Sequence, residues 1–193
     1  TAELVRGVAA AIERAGLRHY VLDPVMVATS GDRLLDEGAV DDVLERLLPL
    51  ATVVTPNLDE AALLTGIAAD GEASLPALAE ALVAAGARSA LVKGGHLEGD
   101  RVVDVWFDGA RFERWERPRV RTRSTHGTGC TLSAAIAAGL AWGRPLPDSI
   151  EDALAFVHRA LASAPGLGGG HGPLNHFVEA RSAVREAAPG PDA

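Results

Sequence analysis

Short apolar segments alternate with helical segments along most of the chain, and this alternation limits the possible folds more than any other feature. Apolar runs occur at residues 19–28, 52–55 and 89–93. Apolar residues recur at helical spacing over residues 3–15, 36–48, 57–64 and 75–85. Nearly continuous apolar strands that alternate with helices are typical of a parallel sheet covered by helices. The sequence therefore predicts an α/β fold with a mostly parallel central sheet.

The second half of the chain adds a hairpin and further helices. Asp108-Gly109 separates two strand-like runs and predicts a β-hairpin over residues 102–116, at an antiparallel edge of the sheet. Helices are predicted over residues 128–142, 148–163 and 175–186. No repeat or linker divides the chain, so we expect one domain over residues 1–186 and a disordered tail over residues 187–193.

Charge and cysteine content exclude several classes of partner. The net charge of −8 gives no basic field for nucleic acid or for an anionic membrane surface. The longest apolar run, residues 134–142, is about half the roughly 20 residues that a membrane helix needs. A single cysteine, Cys130, cannot form an internal disulfide and favours a reducing compartment, the cytoplasm. We therefore expect a small-molecule partner rather than nucleic acid or a membrane.

Glycines directly before a predicted helix form the strongest candidate for chemistry. Gly127, Thr128 and Gly129 can present backbone N–H groups to an anion, because a helix N-terminus leaves such groups unpaired. Cys130 follows in the first turn, where the helix dipole favours the thiolate and suits a base or nucleophile. A plain turn followed by a small buried cysteine fits the same residues equally well.

Polar residues also end three predicted strands. Asn57 and Glu60 lie on one face of a helix start, where a carboxylate can hold a hydrated Mg²⁺, although the pair also fits an N-cap with its N3 partner. Asp23 is a second candidate metal ligand, or a residue that starts a turn before a proline. Lys93 is the only lysine beside 17 arginines. Ligands bind at the carboxyl ends of parallel strands, so these residues together predict phosphoryl transfer.

Five motifs in a fixed order carry a family resemblance. Residues 23–31, 55–61, 91–96, 126–133 and 170–177 together resemble the hydroxymethylpyrimidine/phosphomethylpyrimidine kinases of thiamine biosynthesis. These enzymes belong to the ribokinase-like superfamily, and the match covers about residues 2–177. The resemblance implies a ribokinase-like fold and ATP-dependent phosphorylation of 4-amino-5-hydroxymethyl-2-methylpyrimidine, then of its monophosphate to the diphosphate.

The resemblance also implies roles for individual residues. Cys130 corresponds to the catalytic base, and residues 127–130 correspond to the anion hole. Glu60, with Asn57 behind it, resembles the Mg²⁺ and phosphate motif, and residues 166–172 would lie near the nucleotide. Three further roles follow: Asp23 and Lys93 flank the ATP phosphates, Asp23 joins Glu60 at the metal, and Val25 contacts the pyrimidine. A homodimer is expected from the family and from an acidic, alanine-rich helical surface.

The chain departs from the family pattern at its start, and this departure keeps other functions open. The family's glycine- and serine-rich N-terminal segment, which helps bind the pyrimidine, has no match in the sequence. We therefore expect N-terminal sequence to be missing and the phosphoryl-transfer half of the site to be present. The alternatives are a pyridoxal kinase, a thiazole kinase, a non-catalytic nucleotide or pyrimidine binder, and a cysteine hydrolase that uses His126 with Cys130.

Overall fold

Five strands form one sheet in the computed structural model, which describes residues 1–26, 35–95, 97–167 and 169–180. The strands lie side by side in chain order: β1 (Val21–Leu22), β2 (Val53–Val54), β3 (Ala90–Lys93), β4 (Arg101–Phe107) and β5 (Phe112–Pro118). The pairs β1–β2 and β2–β3 are parallel, whereas β4 is antiparallel to both of its neighbours. Four of the five strands therefore run in one direction, and the predicted hairpin is confirmed.

Six α-helices connect and cover these strands in the described part of the chain. They are α1 (Ala2–Ala15), α2 (Glu37–Asp42), α3 (Leu58–Thr65), α4 (Leu75–Ala84), α5 (Thr128–Ala141) and α6 (Leu146–Ala162). Helix α1 ends where expected, because Gly16 adopts the left-handed conformation at φ 59° and closes the last turn. None of these helices is long and apolar enough to cross a bilayer.

Strands β2 and β3 are buried on both faces of the sheet, which explains their apolar sequences. Val54 and Val92 pack in a core with α1, α3 and α4 on one face. Val53 and Leu91, their neighbours in sequence, pack with α5 and α6 on the other face. Successive side chains of a strand point to opposite faces, so a strand covered on both sides is apolar at every position.

Two helices predicted from the sequence differ in the structure. The helix predicted over residues 36–48 is α-helical only in α2, then widens into a π-helix over Val43–Leu47 and tightens into a 3₁₀ turn over Leu48–Leu50. Pro49 lies in this turn and has no N–H to continue an α-helical pattern.

The helix predicted over residues 175–186 is wrong over its described part. Residues 175–180 form a turn and a bend, because the Phe177 N–H donates to Asn175 Oδ1 at 3.1 Å instead of to a helical carbonyl. The Asn175 N–H donates to the Ala160 carbonyl at 3.1 Å and ties the segment to α6. Residues 181–193, including the predicted tail, lie outside the described residues, as do residues 27–34, which include residues 27–31 of the first motif.

Candidate nucleotide-phosphate site

The carboxyl ends of β1, β2 and β3 bring Asp23, Asn57 and Lys93 together, as the sequence predicts. Lys93 Nζ lies 3.0 Å from Asp23 Oδ1, and the two side chains are only 15% and 12% exposed. The Lys93 N–H donates to the Pro56 carbonyl at 2.9 Å, and Asn57 and Lys93 form an isolated parallel bridge. An ammonium group is therefore fixed at the end of the sheet, beside a carboxylate.

Thr55 supports this ion pair and was not singled out from the sequence. Its hydroxyl donates to Asp23 Oδ1 at 3.3 Å, with the Leu22 carbonyl at 3.4 Å as a second acceptor. Thr55 is completely buried at the end of β2. A polar residue that ends a buried strand is a signal for such a role, because a buried hydroxyl needs a partner.

The N-terminus of α5 lies directly against the ion pair. Gly127 adopts φ 85°, a left-handed conformation that favours glycine and turns the chain into the helix. A Cβ at Gly129 would lie 3.3 Å from both Asp23 Oδ2 and Lys93 Nζ. The N–H groups of Gly129 and Cys130 have no acceptor among the described residues. Unpaired amides beside an ammonium group form a site for an anion such as a phosphate.

Asn57 and Glu60 form a reciprocal capping box at the start of α3. Glu60 N–H donates to Asn57 Oδ1, and Asn57 N–H donates to Glu60 Oε2, both at 2.8 Å. The N-cap interpretation of this pair is thus confirmed, and it does not remove Glu60 from the site. Glu60 is buried, and burial raises the pKa of its carboxyl above 4.5, with the hydrogen bond from Asn57 and the charge of Lys93 opposing this shift. The nearby carboxylate of Asp23 raises that pKa further.

Cys130 is exposed, so the prediction of a small buried cysteine is wrong. Its thiol lies in the first turn of α5 and lines an open groove of about 610 Å³ between α5 and α6. Among the described residues, no histidine side chain forms a hydrogen bond with Cys130, and this lack argues against the cysteine hydrolase alternative.

His176 is a second groove residue that sequence reasoning missed. The Thr131 hydroxyl donates its proton to the Gly127 carbonyl at 2.8 Å and therefore accepts a hydrogen bond from His176 Nε2 at 2.9 Å. His176 lies in the resembling motif 170–177, which was the available signal.

Residues 169–172 of the glycine-rich segment lie beside the loop that leads to α5, and the predicted position of residues 166–172 near the nucleotide stays a prediction. The His126 N–H donates to the Gly172 carbonyl at 3.2 Å, and Arg123 donates to the Gly169 carbonyl at 2.5 Å. A Cβ at Gly172 would lie 2.7 Å from Ser124 Oγ, so this close approach requires glycine. These residues therefore lie against one side of the loop that leads to Cys130.

The donor atoms fit one mode of metal binding. No group of three or more histidine, cysteine or acidic side chains in the described ranges is arranged to hold a metal ion. Asp23 and Glu60 offer two carboxylates near the proposed phosphate position. Mg²⁺ usually takes one or two carboxylates and fills its octahedron with water and substrate phosphates, so the two residues fit that ion.

Val25 lies at the edge of the same region. It follows Asp23 by two residues, its N–H donates to the Asp23 carbonyl at 2.9 Å, and its side chain is 42% exposed. An exposed apolar side chain next to the ion pair is available for an apolar contact. Its predicted contact with a pyrimidine stays a prediction.

The chain is similar to a known protein family and to individual proteins of that family. The family model described as phosphomethylpyrimidine kinase matches residues 1–175. The chain is 53% identical over 178 residues to the hydroxymethylpyrimidine/phosphomethylpyrimidine kinase of Rhizobium meliloti, covering 91% of this chain and 66% of that protein. It is 51% identical over 157 residues to the protein of the same name from Streptomyces coelicolor, covering 81% of this chain and 58% of that protein.

A solved structure confirms the ribokinase-like α/β fold. The pyridoxal kinase of Staphylococcus aureus, solved in complex with ADP, superposes with a TM-score of 0.86 at 32% identity. The superposition covers 95% of this chain and 66% of that one. The chain thus spans between 58% and 66% of the length of the relatives compared here. The chain belongs to the phosphomethylpyrimidine kinase family.

Proposed function

We propose that this chain carries out ATP-dependent phosphorylation of 4-amino-5-hydroxymethyl-2-methylpyrimidine, and then of its monophosphate to the diphosphate, in thiamine biosynthesis. One observation carries the proposal: the Asp23–Lys93 pair lies against Gly129 at the start of α5, one residue before an exposed cysteine. This arrangement joins a cation, an amide cradle and a candidate base. The names of the two kinase relatives supply the substrates.

The start of α5 would hold the transferring phosphoryl group and the adjoining β-phosphate of the nucleotide, which ADP retains. The N–H groups of Gly127, Gly129 and Cys130 would form the anion hole, and the helix dipole favours negative charge there. The Thr128 N–H, which the sequence also assigns to the anion hole, donates to the Thr125 carbonyl at 3.3 Å, so it is already paired. Lys93 adds a positive charge that Asp23 keeps in place. Such a fixed arrangement stabilises the charge on a phosphoryl group without rearranging during the reaction.

Cys130 would take the proton from the substrate hydroxyl. Its thiol is exposed and lies on the same helix turn as the anion hole, so the base and the phosphoryl group can approach one hydroxyl together. The proposed base also has to stay reduced, which fits the predicted cytoplasmic location.

Asp23 and Glu60 would hold Mg²⁺ together with phosphate oxygens and water. When bound, the ion would neutralise negative charge on the phosphates. Asn57 fixes the position of Glu60 through the capping box, and the buried Glu60 carboxylate gains a partner when it meets a cation. Val25 would form part of the pyrimidine contact.

Phosphate transfer is best followed by ³¹P NMR with MgATP and each pyrimidine in turn. We expect both pyrimidines to be phosphorylated and the Cys130→Ala variant to lose this activity. Ser133→Ala is the matched control, because Ser133 lies on the next turn of α5 and its hydroxyl only donates to the Cys130 carbonyl, at 3.1 Å. Equal activity in the wild-type chain and Cys130→Ala would contradict the assignment of the base.

Pyridoxal phosphorylation is the second candidate function. The close superposition on the Staphylococcus aureus pyridoxal kinase favours it, whereas the higher identity to the hydroxymethylpyrimidine/phosphomethylpyrimidine kinase of Rhizobium meliloti favours the pyrimidine. Pyridoxal in the same assay separates the two, and a higher kcat/KM for pyridoxal would reverse our order. MgADP binding without turnover of any alcohol would support the non-catalytic binder instead.

A homodimer is the proposed assembly, on the family resemblance and the acidic composition. Sedimentation equilibrium checks it directly. A mass of about 40 kDa, twice the 20.0 kDa of the chain, is expected, and a mass of one chain at all concentrations would contradict the proposal.

A further inference from the structure

A buried carboxylate on the hairpin contacts the loop that follows Lys93. Asp104 is in the middle of β4, and its side chain is only 3% exposed. Its Oδ1 accepts a hydrogen bond from the Gly94 N–H at 3.0 Å. Its Oδ2 accepts a hydrogen bond from Arg117 of β5. Both carboxylate oxygens are therefore used, one by the loop and one by the neighbouring strand.

The contact with Gly94 controls the backbone next to the site. Gly94 directly follows Lys93, which is paired with Asp104 in the β3–β4 register. A Cβ at Gly94 would lie 2.2 Å from the Val103 carbonyl oxygen, so the backbone of this loop is pressed against β4. On its other side the Lys93 N–H is held by the Pro56 carbonyl at 2.9 Å. The peptide groups on both sides of the Lys93 Cα are thus fixed by named partners.

Arg117 stabilises the buried carboxylate of Asp104. An unpaired buried carboxylate is strongly unfavourable, and a guanidinium can neutralise it and donate hydrogen bonds to it. The Arg117 side chain is 20% exposed, so most of the pair is shielded from water. The hairpin therefore places the Asp104 carboxylate, neutralised by Arg117, where it accepts a hydrogen bond from the loop that follows Lys93.

We propose that Asp104 is a positioning residue for Lys93: through the Gly94 N–H it fixes the loop that sets where the ammonium group meets Asp23 and the start of α5. The role in nucleotide binding rests on the proposed function, whereas the effect on the position of Lys93 does not. Asp104 itself touches neither Asp23 nor α5 through any hydrogen bond or ion pair of the described residues.

Two double variants separate the acceptor from the buried charge. Asp104→Asn with Arg117→Gln removes both charges and keeps a side-chain oxygen for the Gly94 N–H. Asp104→Leu with Arg117→Leu also removes both charges and has no acceptor, and replacing a buried ion pair by apolar residues of similar volume usually preserves folding. Asp100→Asn is the control, because Asp100 is 86% exposed and pairs with Arg121 near the start of the same strand.

The first readout does not depend on activity. Lys93 is the only lysine, so ¹³C-lysine labelling gives a single Cε signal from this site. We expect the Asn/Gln pair and Asp100→Asn to keep the wild-type Lys93 signal and the Leu/Leu pair to shift it. Equal Lys93 signals in the two double variants would overturn the proposal.

The second readout is the Kd for MgADP, by titration calorimetry. We expect the Leu/Leu pair to weaken binding about tenfold and the Asn/Gln pair to stay within about twofold of wild type. In a Lys93→Met background, the Leu/Leu pair should change Kd less than about twofold, because the two changes act through one group. If the Leu/Leu pair raises the Kd for MgADP by the same factor in the Lys93→Met background as in the wild-type chain, the proposal is overturned. If the wild-type chain does not bind MgADP, the proposed function fails, and the Lys93 signal alone decides the role of Asp104.

Discussion

The most specific prediction concerns Gly129, at the start of α5. A Cβ at this position would lie 3.3 Å from both Lys93 Nζ and Asp23 Oδ2. Gly129→Ala therefore places a methyl group between the amide cradle and the ammonium group, in the space assigned to a phosphate. The neighbouring side chains must move by a few tenths of an ångström to accept it.

Two opposing effects set the expected magnitude. Alanine gains up to about 1 kcal/mol over glycine in a helix, and the tight contact with the ion pair offsets this gain. We therefore expect the free energy of unfolding of Gly129→Ala to stay within about 1 kcal/mol of wild type. Loss of a well-placed phosphate contact costs about 1.4 to 2.7 kcal/mol, so the Kd for MgADP should rise about 10- to 100-fold.

Gly7→Ala is the matched control for this change. Gly7 lies within α1, and a Cβ there would meet no atom within 4 Å. It should stabilise the chain by about 0.5 to 1 kcal/mol and leave MgADP binding unchanged. Urea unfolding and titration calorimetry measure both quantities. If Gly129→Ala binds MgADP with the wild-type Kd, the phosphates do not lie at this cradle and the reasoning is refuted.

Three further predictions follow from single contacts. Gly139→Ala should lower the free energy of unfolding in urea by about 1 to 2 kcal/mol. The reason is that its Cβ would lie 2.7 Å from Ser149 Oγ, where α5 meets α6. If Gly139→Ala costs as much in a Ser149→Gly background, this explanation is contradicted. Burial raises the pKa of Glu60 above 4.5, so the folded state binds this proton more tightly than the unfolded state. The free energy of unfolding should therefore rise as pH falls through the raised pKa to 4.5, and Glu60→Gln should lack this rise; identical pH profiles would refute it. Cys130→Ser should lower kcat about 100-fold in the ³¹P assay and keep the wild-type Kd for MgADP, because the backbone amides remain; loss of binding would mean that the thiol holds the nucleotide.

The fold could be predicted because its determinants are local in sequence. The apolar runs that become β2 and β3 are buried on both sheet faces, and Asp108-Gly109 directs a two-strand hairpin. The break in the helix after Asp42 could not be predicted from spacing, because a π-helical segment of five residues is too short to change the apolar pattern visibly. The helix prediction for residues 175–180 failed because the Asn175 side chain accepts a hydrogen bond from the Phe177 N–H and so competes with helical hydrogen bonds.

The candidate site was predictable where residues end strands or begin helices. Asp23, Lys93 and residues 127–130 converge because parallel strands end at one edge of a sheet. Thr55 and Asp104 act through partners 32 and 10 residues away, and these pairings depend on strand register rather than on local pattern.

The central claim is that nucleotide phosphates bind between Lys93 and the start of α5. A crystal structure of the chain with MgADP tests it most directly. The account predicts the terminal phosphate of ADP within hydrogen-bond distance, about 3 Å, of the Gly129 or Cys130 amide nitrogen and of Lys93 Nζ. Phosphates bound elsewhere, with the Asp23–Lys93 pair and the start of α5 making no contact to them, would contradict it.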